Sequence, residues 1–152
     1  TASLDAARLA TKSGYQNVYV YRGGLPEWIK AGYPTETTEV LPKVDVPSVS
    51  VQELKTLLDS DQDLVLLDTR RKGDAAKYWI NNPKRVHMSM HDLSLGFAEL
   101  PMDKKLFILD KGGKRGGLIS RFLASRGFKD LTLVTGGMKQ WVKQGLPTEI
   151  AK

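Results

Sequence analysis

The chain has no cysteine among its 152 residues, which excludes disulfides, thiolate metal sites and thiol nucleophiles together. Long apolar runs are also missing. Stretches such as Leu64 to Leu67 and Leu106 to Leu109 are four residues long, against the roughly 20 a helix needs to cross a bilayer. No basic stretch followed by an apolar one opens the chain, so no signal peptide is expected, and the compartment, cytoplasmic or periplasmic, is left open. Histidine is scarce. His87 and His91 are spaced to share a helix face, but His87 falls in an expected strand, so ordinary core or surface histidines are expected and no metal site. Neither GxGxxG nor GxxxxGK[ST] occurs, which removes the usual nucleotide-phosphate loops.

What is present suits a well-cored globular chain: 41% apolar and 26% charged residues. The net charge of +6 comes from 23 basic and 17 acidic residues spread along the sequence. Such a balance favours acidic partners without pointing to nucleic acid or a membrane, and neither is expected.

Residues 14–36 and 127–149 align without a gap at an offset of 113, with nine identities in 23 positions. Gly14, Gly23, Gly24, Trp28, Lys30, Gly32, Pro34, Thr35 and Glu36 recur as Gly127, Gly136, Gly137, Trp141, Lys143, Gly145, Pro147, Thr148 and Glu149. Each copy predicts a helix closed by glycine, a short strand (Val18 to Tyr21; Leu131 to Thr135), a Gly-Gly turn, and a second short helix closed by Gly and Pro. One or both glycines of the Gly-Gly pair are expected in a conformation closed to residues with a Cβ. Trp28 and Trp141 are expected in the core; Tyr15, Tyr19 and Tyr21 would normally be core or rim residues, but with the first copy's body missing some are expected to be exposed and adhesive.

Only the second copy is preceded by enough sequence for a body. Residues 1–36 therefore predict the closing piece of one domain, 37–48 (TTEVLPKVDVPS) an extended linker, and 49–152 a nearly complete second domain. In the latter, Ser50 with Glu53 forms a capping-box pattern before the Leu54, Leu57, Leu58 stripe, predicting a helix over Val51 to Asp59. Strands are expected at Leu64 to Asp68, Arg85 to Met88, Leu106 to Asp110 and Leu131 to Thr135. Helices are expected at Ala75 to Ile80, Gly116 to Arg126 and Met138 to Gln144. The alternation predicts an α/β fold, a central parallel sheet flanked by helices in three layers.

In such sheets sites form where strand ends meet helix N-termini. The candidate is the loop Asp110, Lys111, Gly112, Gly113, Lys114, Arg115, Gly116. Its glycines let N–H groups turn inward and the next helix contributes its positive end, the ingredients of an anion cradle. Asp68 and Arg70, ending the neighbouring strand, predict an ion pair that braces it.

This strand–loop–helix, followed by Gly127-Phe128, Asp130, Gly136-Gly137, Trp141 and Gly145-Leu146-Pro147, resembles the rhodanese family, whose active loop commonly reads CxxGxRS. On that pattern Gly113 and Arg115 keep the glycine and arginine, Asp110 takes the cysteine place and Gly116 the serine place. Leu66-Leu67-Asp68-Thr69-Arg70 is similar to the family's LIDVR strand end, and Asp92-Leu93 to the segment after its next strand. Only Ile80 matches the family's glycine-histidine-isoleucine stretch. In the first copy Ser3 falls opposite Gly116, and the cysteine place lies before Thr1.

The resemblance implies a sulfurtransferase relative of tandem type that needs no cofactor. In the family a cysteine takes a sulfane sulfur from a donor such as thiosulfate and passes it on. A carboxylate cannot, so Asp110 implies a non-catalytic binding or regulatory domain, its side chain closing the loop on itself or pairing with Lys111, Lys114 or Arg115. A phospho-aspartyl nucleophile is disfavoured because Gly112 stands where a second metal-binding aspartate belongs. Two alternatives share the fold: the C-terminal part of an active tandem enzyme with its cysteine upstream of Thr1, and a scaffold that binds anions or phosphoproteins. For the latter, Lys111, Lys114 and Arg115 hold a sulfur oxyanion, a phosphate or an acidic partner, or are simply solvated. Segment 1–36 is expected to dock onto the complete domain, self-associate or take a protein partner.

Overall fold

The structure, a computed structural model, describes residues 2–36 and 39–151. It divides into two compact units, Thr1–Val40 and Leu41–Lys152. Thr37 and Thr38 of the expected linker lie outside the described residues. The linker from Leu41 onward belongs with the second unit, where the Arg121 guanidinium donates to the carbonyls of Leu41 and Pro42.

The first unit contains α1 (Ala2–Lys12) and α2 (Gly24–Lys30). Trp28 packs edge-on against Tyr21 and tilted against Tyr33, and its Nε1–H donates to the Pro34 carbonyl at 2.9 Å.

The second unit runs β1 (Ser48–Val49), α3 (Val51–Asp59), β2 (Leu64–Asp68), α4 (Lys72–Ala75), β3 (Tyr78–Trp79), β4 (Arg85–His87), α5 (Met90–Gly96), β5 (Lys105–Leu109), α6 (Gly116–Ser125), β6 (Leu131–Val134), α7 (Gly137–Lys143) and β7 (Glu149–Ile150). Five strands form a parallel sheet in the order β1-β6-β5-β2-β4. Strand alternation divides the core into two layers. Leu64, Leu66, Phe107, Leu109 and Val134 face α3 and α7. Val65, Leu67, Leu106, Ile108 and Leu131 face α5 and α6. Helix α3 starts on the capping box: Ser50 N–H donates to Glu53 Oε2 at 2.7 Å and Glu53 N–H to Ser50 Oγ at 3.2 Å. Its buried stripe is Val51, Leu54 and Leu58, which seals one face of the sheet. Among the described residues no helix is long and apolar enough to cross a membrane.

The expected helix Ala75 to Ile80 is replaced by α4 and the strand β3. Tyr78 and Trp79 pair antiparallel with Ile150 and Glu149, a β-hydrogen-bonding partner that lies some 70 residues downstream and suits two aromatic residues.

The repeat reappears in the backbone conformation. Gly14, Gly24 and Gly32 have φ of 96°, 59° and 75°; Gly127, Gly137 and Gly145 have 94°, 57° and 67°. Helix α2 corresponds residue for residue to α7, and the Trp28–Pro34 hydrogen bond recurs as Trp141 Nε1–H to Pro147 at 2.9 Å. Two expectations fail in the first copy. Val18 to Tyr21 forms no strand, whereas its counterpart β6 is hydrogen-bonded to both β5 and β1. Trp28 is 39% exposed whereas Trp141 is 0%, while the exposure of Tyr15, Tyr19 and Tyr21 is as expected of a copy without its body. The physical reason is one: turns and caps are satisfied by residues nearby in sequence, but a strand and a core need a sheet to join. The Gly-Gly pairs also differ, since Gly23 is helical at φ −68° and Gly136 left-handed at 76°.

Trp141→Ala is therefore expected to cost about 3–5 kcal/mol, the range for emptying a buried aromatic site, and Trp28→Ala distinctly less. Urea titrations of the two variants check this.

Candidate functional site

The loop after β5 is shaped by its glycines and by the Gly136-Gly137 turn beside it. The Asp110 carbonyl accepts Met138 N–H at 2.8 Å and the Lys111 carbonyl accepts Lys139 N–H at 3.0 Å, so the start of α7 is tied to the end of β5. The approach leaves no space. A Cβ on Gly113, at φ 80°, would stand 2.9 Å from Gly136 N. One on Gly137 would stand 2.8 Å from Asp110 Oδ1, 2.9 Å from Gly112 N and closer still to the Asp110 carbonyl.

Asp110, 4% exposed, turns its carboxylate into this loop. Oδ1 accepts Gly112 N–H at 2.8 Å and also Gly113 N–H; Oδ2 accepts Arg115 N–H at 2.6 Å. Helix α6 has no other side-chain cap, so the carboxylate also sits at its positive end. Of the expected ion partners, none pairs with Asp110 through its side chain: Arg115 contributes its backbone N–H, and the Lys111 ammonium bonds Asp74 at 3.2 Å. Backbone donors win because the carboxylate of a residue at a strand end reaches the next few N–H groups without ordering a long side chain.

Asp68 solves the same problem with cations. Its carboxylate receives Arg70 Nε at 2.9 Å and Nη2 at 2.7 Å, and Arg85 Nε at 3.1 Å and Nη2 at 2.8 Å. Burial pushes the Asp68 carboxyl up, but the hydrogen bonds and charges of Arg70 and Arg85 outweigh it and hold it below its ordinary value. The expected bracing of the loop takes a different route. Arg70 reaches the carbonyls of Asp74 and Tyr78, tying β2 to the α4–β3 segment, while Thr69 reaches β5: its N–H and its hydroxyl both donate to the Leu109 carbonyl, at 2.8 and 3.0 Å. His87 Nε2 donates to the Arg70 carbonyl at 3.0 Å.

A cleft of about 540 Å³ opens over the loop, walled by Thr69 and Arg71 after β2, Asp74 of α4, Lys111, Lys114 and Arg115 of the loop, and Lys139 of α7. Arg71, Asp74 and Lys139 carried no motif signal; only the topology brings them here. Arg85 was equally silent, being one arginine in a short strand, although the register Leu66↔Arg85 sets it beside Asp68. Among the described residues no group of three or more His, Asp or Glu side chains could hold a metal ion. The cleft thus offers fixed positive charge around a loop that already holds a carboxylate, and no thiol.

Two stability tests follow from this geometry. Asp68→Ala leaves two guanidinium groups facing each other in the interior and is expected to cost about 3–5 kcal/mol. A carboxyl held low in the folded state contributes stability that is present above the unfolded value of about 3.9 and lost as pH falls through the folded value. The wild type should lose stability below about pH 4 more steeply than Asp68→Ala, as read from urea midpoints across an acid series. Gly137→Ala should cost more than the roughly 1–2 kcal/mol of a Cβ in the left-handed region. Gly24→Ala, with nothing nearer than Pro26 Cδ at 3.7 Å, should stay within that range.

Comparison with known proteins agrees over this unit. The family model described as Rhodanese-like domain matches residues 50–144. YtwF of Bacillus subtilis is 29% identical over 104 residues, covering 68% of this chain and 98% of its own length. The solution structure of the polysulfide-sulfur transferase homodimer from Wolinella succinogenes matches with a TM-score of 0.59 and 29% identity over 70% of this chain and 80% of that one. The crystal structure of thiosulfate sulfurtransferase from Pseudomonas aeruginosa shares the fold at a TM-score of 0.61 and 24% identity, spanning 98% of this chain and 30% of the other.

Proposed function

The chain belongs to the rhodanese-like domain family, and from that premise we propose that it is a non-catalytic member, a binding or regulatory module of a sulfurtransferase-type protein. The observation that carries this reading is the Asp110 carboxylate bound by its own loop. With cysteine at that place, Sγ would stand where Asp110 Cγ stands. The outer sulfur of a persulfide would lie one bond further, where a carboxylate oxygen now accepts N–H groups. Asp110 thus stands in for the sulfur-loaded side chain, with an anion that cannot be passed on. The loop is held in its occupied form without a donor.

A second reading draws on the repeat. The first unit reproduces the turns, helices and tryptophan hydrogen bond of α6–β6–α7, and the Pseudomonas aeruginosa enzyme aligns along nearly the whole chain. Both support a tandem arrangement in which sulfur transfer is carried by another rhodanese-like domain and residues 49–152 serve it.

Sulfur-transfer assays test the leading reading. The chain as it stands should form no thiocyanate from thiosulfate and cyanide, and any turnover by it would sink the non-catalytic assignment. Asp110→Cys should become persulfidated by thiosulfate: the thiolate attacks the sulfane sulfur, an S–S bond forms, and sulfite leaves with the electron pair. Mass spectrometry would show the gain of one sulfur atom, removed by cyanide as thiocyanate. A variant that stays unmodified would mean that the loop is not a sulfur cradle.

A further inference from the structure

The charge of this protein is distributed unevenly. Residues 1–40 carry four basic and four acidic side chains, leaving 19 and 13 in residues 41–152, so the whole excess of six lies in the second unit. Part of that excess is neutralised locally, at the cleft and on the helices near it. Lys111 is held by Asp74, Lys72 by Asp92 at 3.5 Å, and Arg70 is buried on Asp68. Arg71, Lys114, Arg115 and Lys139 are exposed and form no ion pair among the described residues. They reach the cleft from three separate segments: the turn between β2 and α4, the loop before α6, and α7.

The floor between them decides what can bind. A small oxyanion in this fold would seek the loop N–H groups, yet those of Gly112, Gly113 and Arg115 are already bound to Asp110. It would also face a fixed carboxylate of its own sign. Carboxylates spread along an extended ligand avoid that repulsion, each meeting a rim cation while the floor stays untouched. No aromatic side chain lines the cleft, so the stacking that holds single-stranded nucleic acid is missing. We infer that this rim is a docking surface for an acidic protein segment, rich in Asp and Glu. The inference rests on the binding-module reading and gives it a class of partner.

Fluorescence anisotropy on the intact chain tests it, with a labelled Glu/Asp-rich peptide as probe. Binding should weaken with rising salt, as contacts between exposed charges do. Lys114→Glu and Lys139→Glu should each lower affinity about fivefold or more, charge reversal at a rim acting through electrostatic complementarity. Lys129→Glu makes the same change in net charge at the opposite end of the sheet and should leave affinity within about twofold. All three positions are exposed, so folding survives, which circular dichroism verifies. The inference falls if the peptide does not bind at low salt, or if Lys129→Glu weakens binding equally. It also falls if thiosulfate or sulfate at equal concentration displaces the peptide, or if an oligonucleotide of equal charge binds more tightly. Thiocyanate formation by the wild type would instead remove the reading beneath it, so the two failures are distinguishable.

Discussion

Strand β5 lies between β2 and β6, and its parallel pairing with both sets the position of everything else in the second unit. Parallel strands end together, so the segments after β2, β5 and β6 leave the sheet on one side. That convergence gathers Thr69 and Arg71, the 110–116 loop and the Gly136-Gly137 turn around a single cleft. Strand polarity also explains the two-layered core, because buried strands must be apolar on both faces and alternate residues serve different helices.

Two aspartates at the ends of neighbouring strands show how differently a buried carboxylate can be satisfied. Asp68 is surrounded by guanidinium groups that bind the segments following β2 to the sheet. Asp110 is surrounded by the N–H groups of its own loop. The first arrangement is architectural and leaves no charge for a ligand. The second ties a glycine-rich loop onto a carboxylate at the end of β5. At the rim of the same cleft, Arg71, Lys114, Arg115 and Lys139 form no ion pair among the described residues.

Much of this could be read from the residues. The capping box, the apolar runs of β2 and β5, and the glycine spacing of the loop are local signals, and the helices, strands and loop they mark are where those signals lie. Tyr78-Trp79 misleads because its partner, Glu149-Ile150, sits near the other end of the chain, and no local pattern announces a strand defined by a distant one. Arg85, Thr69 and Lys139 escape for the same reason: each is an unremarkable residue until the register places it.

The two copies of the repeat separate these levels within one molecule. Sequence alone determined three pairs of left-handed glycines, the helix spans and the tryptophan-to-proline hydrogen bond, which recur at matching positions because each is completed within a few residues. It also determined that no thiol stands at the end of β5, and hence what the loop cannot do. Only the tertiary structure decided that Leu131 to Val134 is a strand while Val18 to Tyr21 is not, and that Trp141 is buried while Trp28 is exposed. Ladder hydrogen bonds and apolar burial need surfaces brought from far along the chain, and a sheet supplies them to the second copy alone.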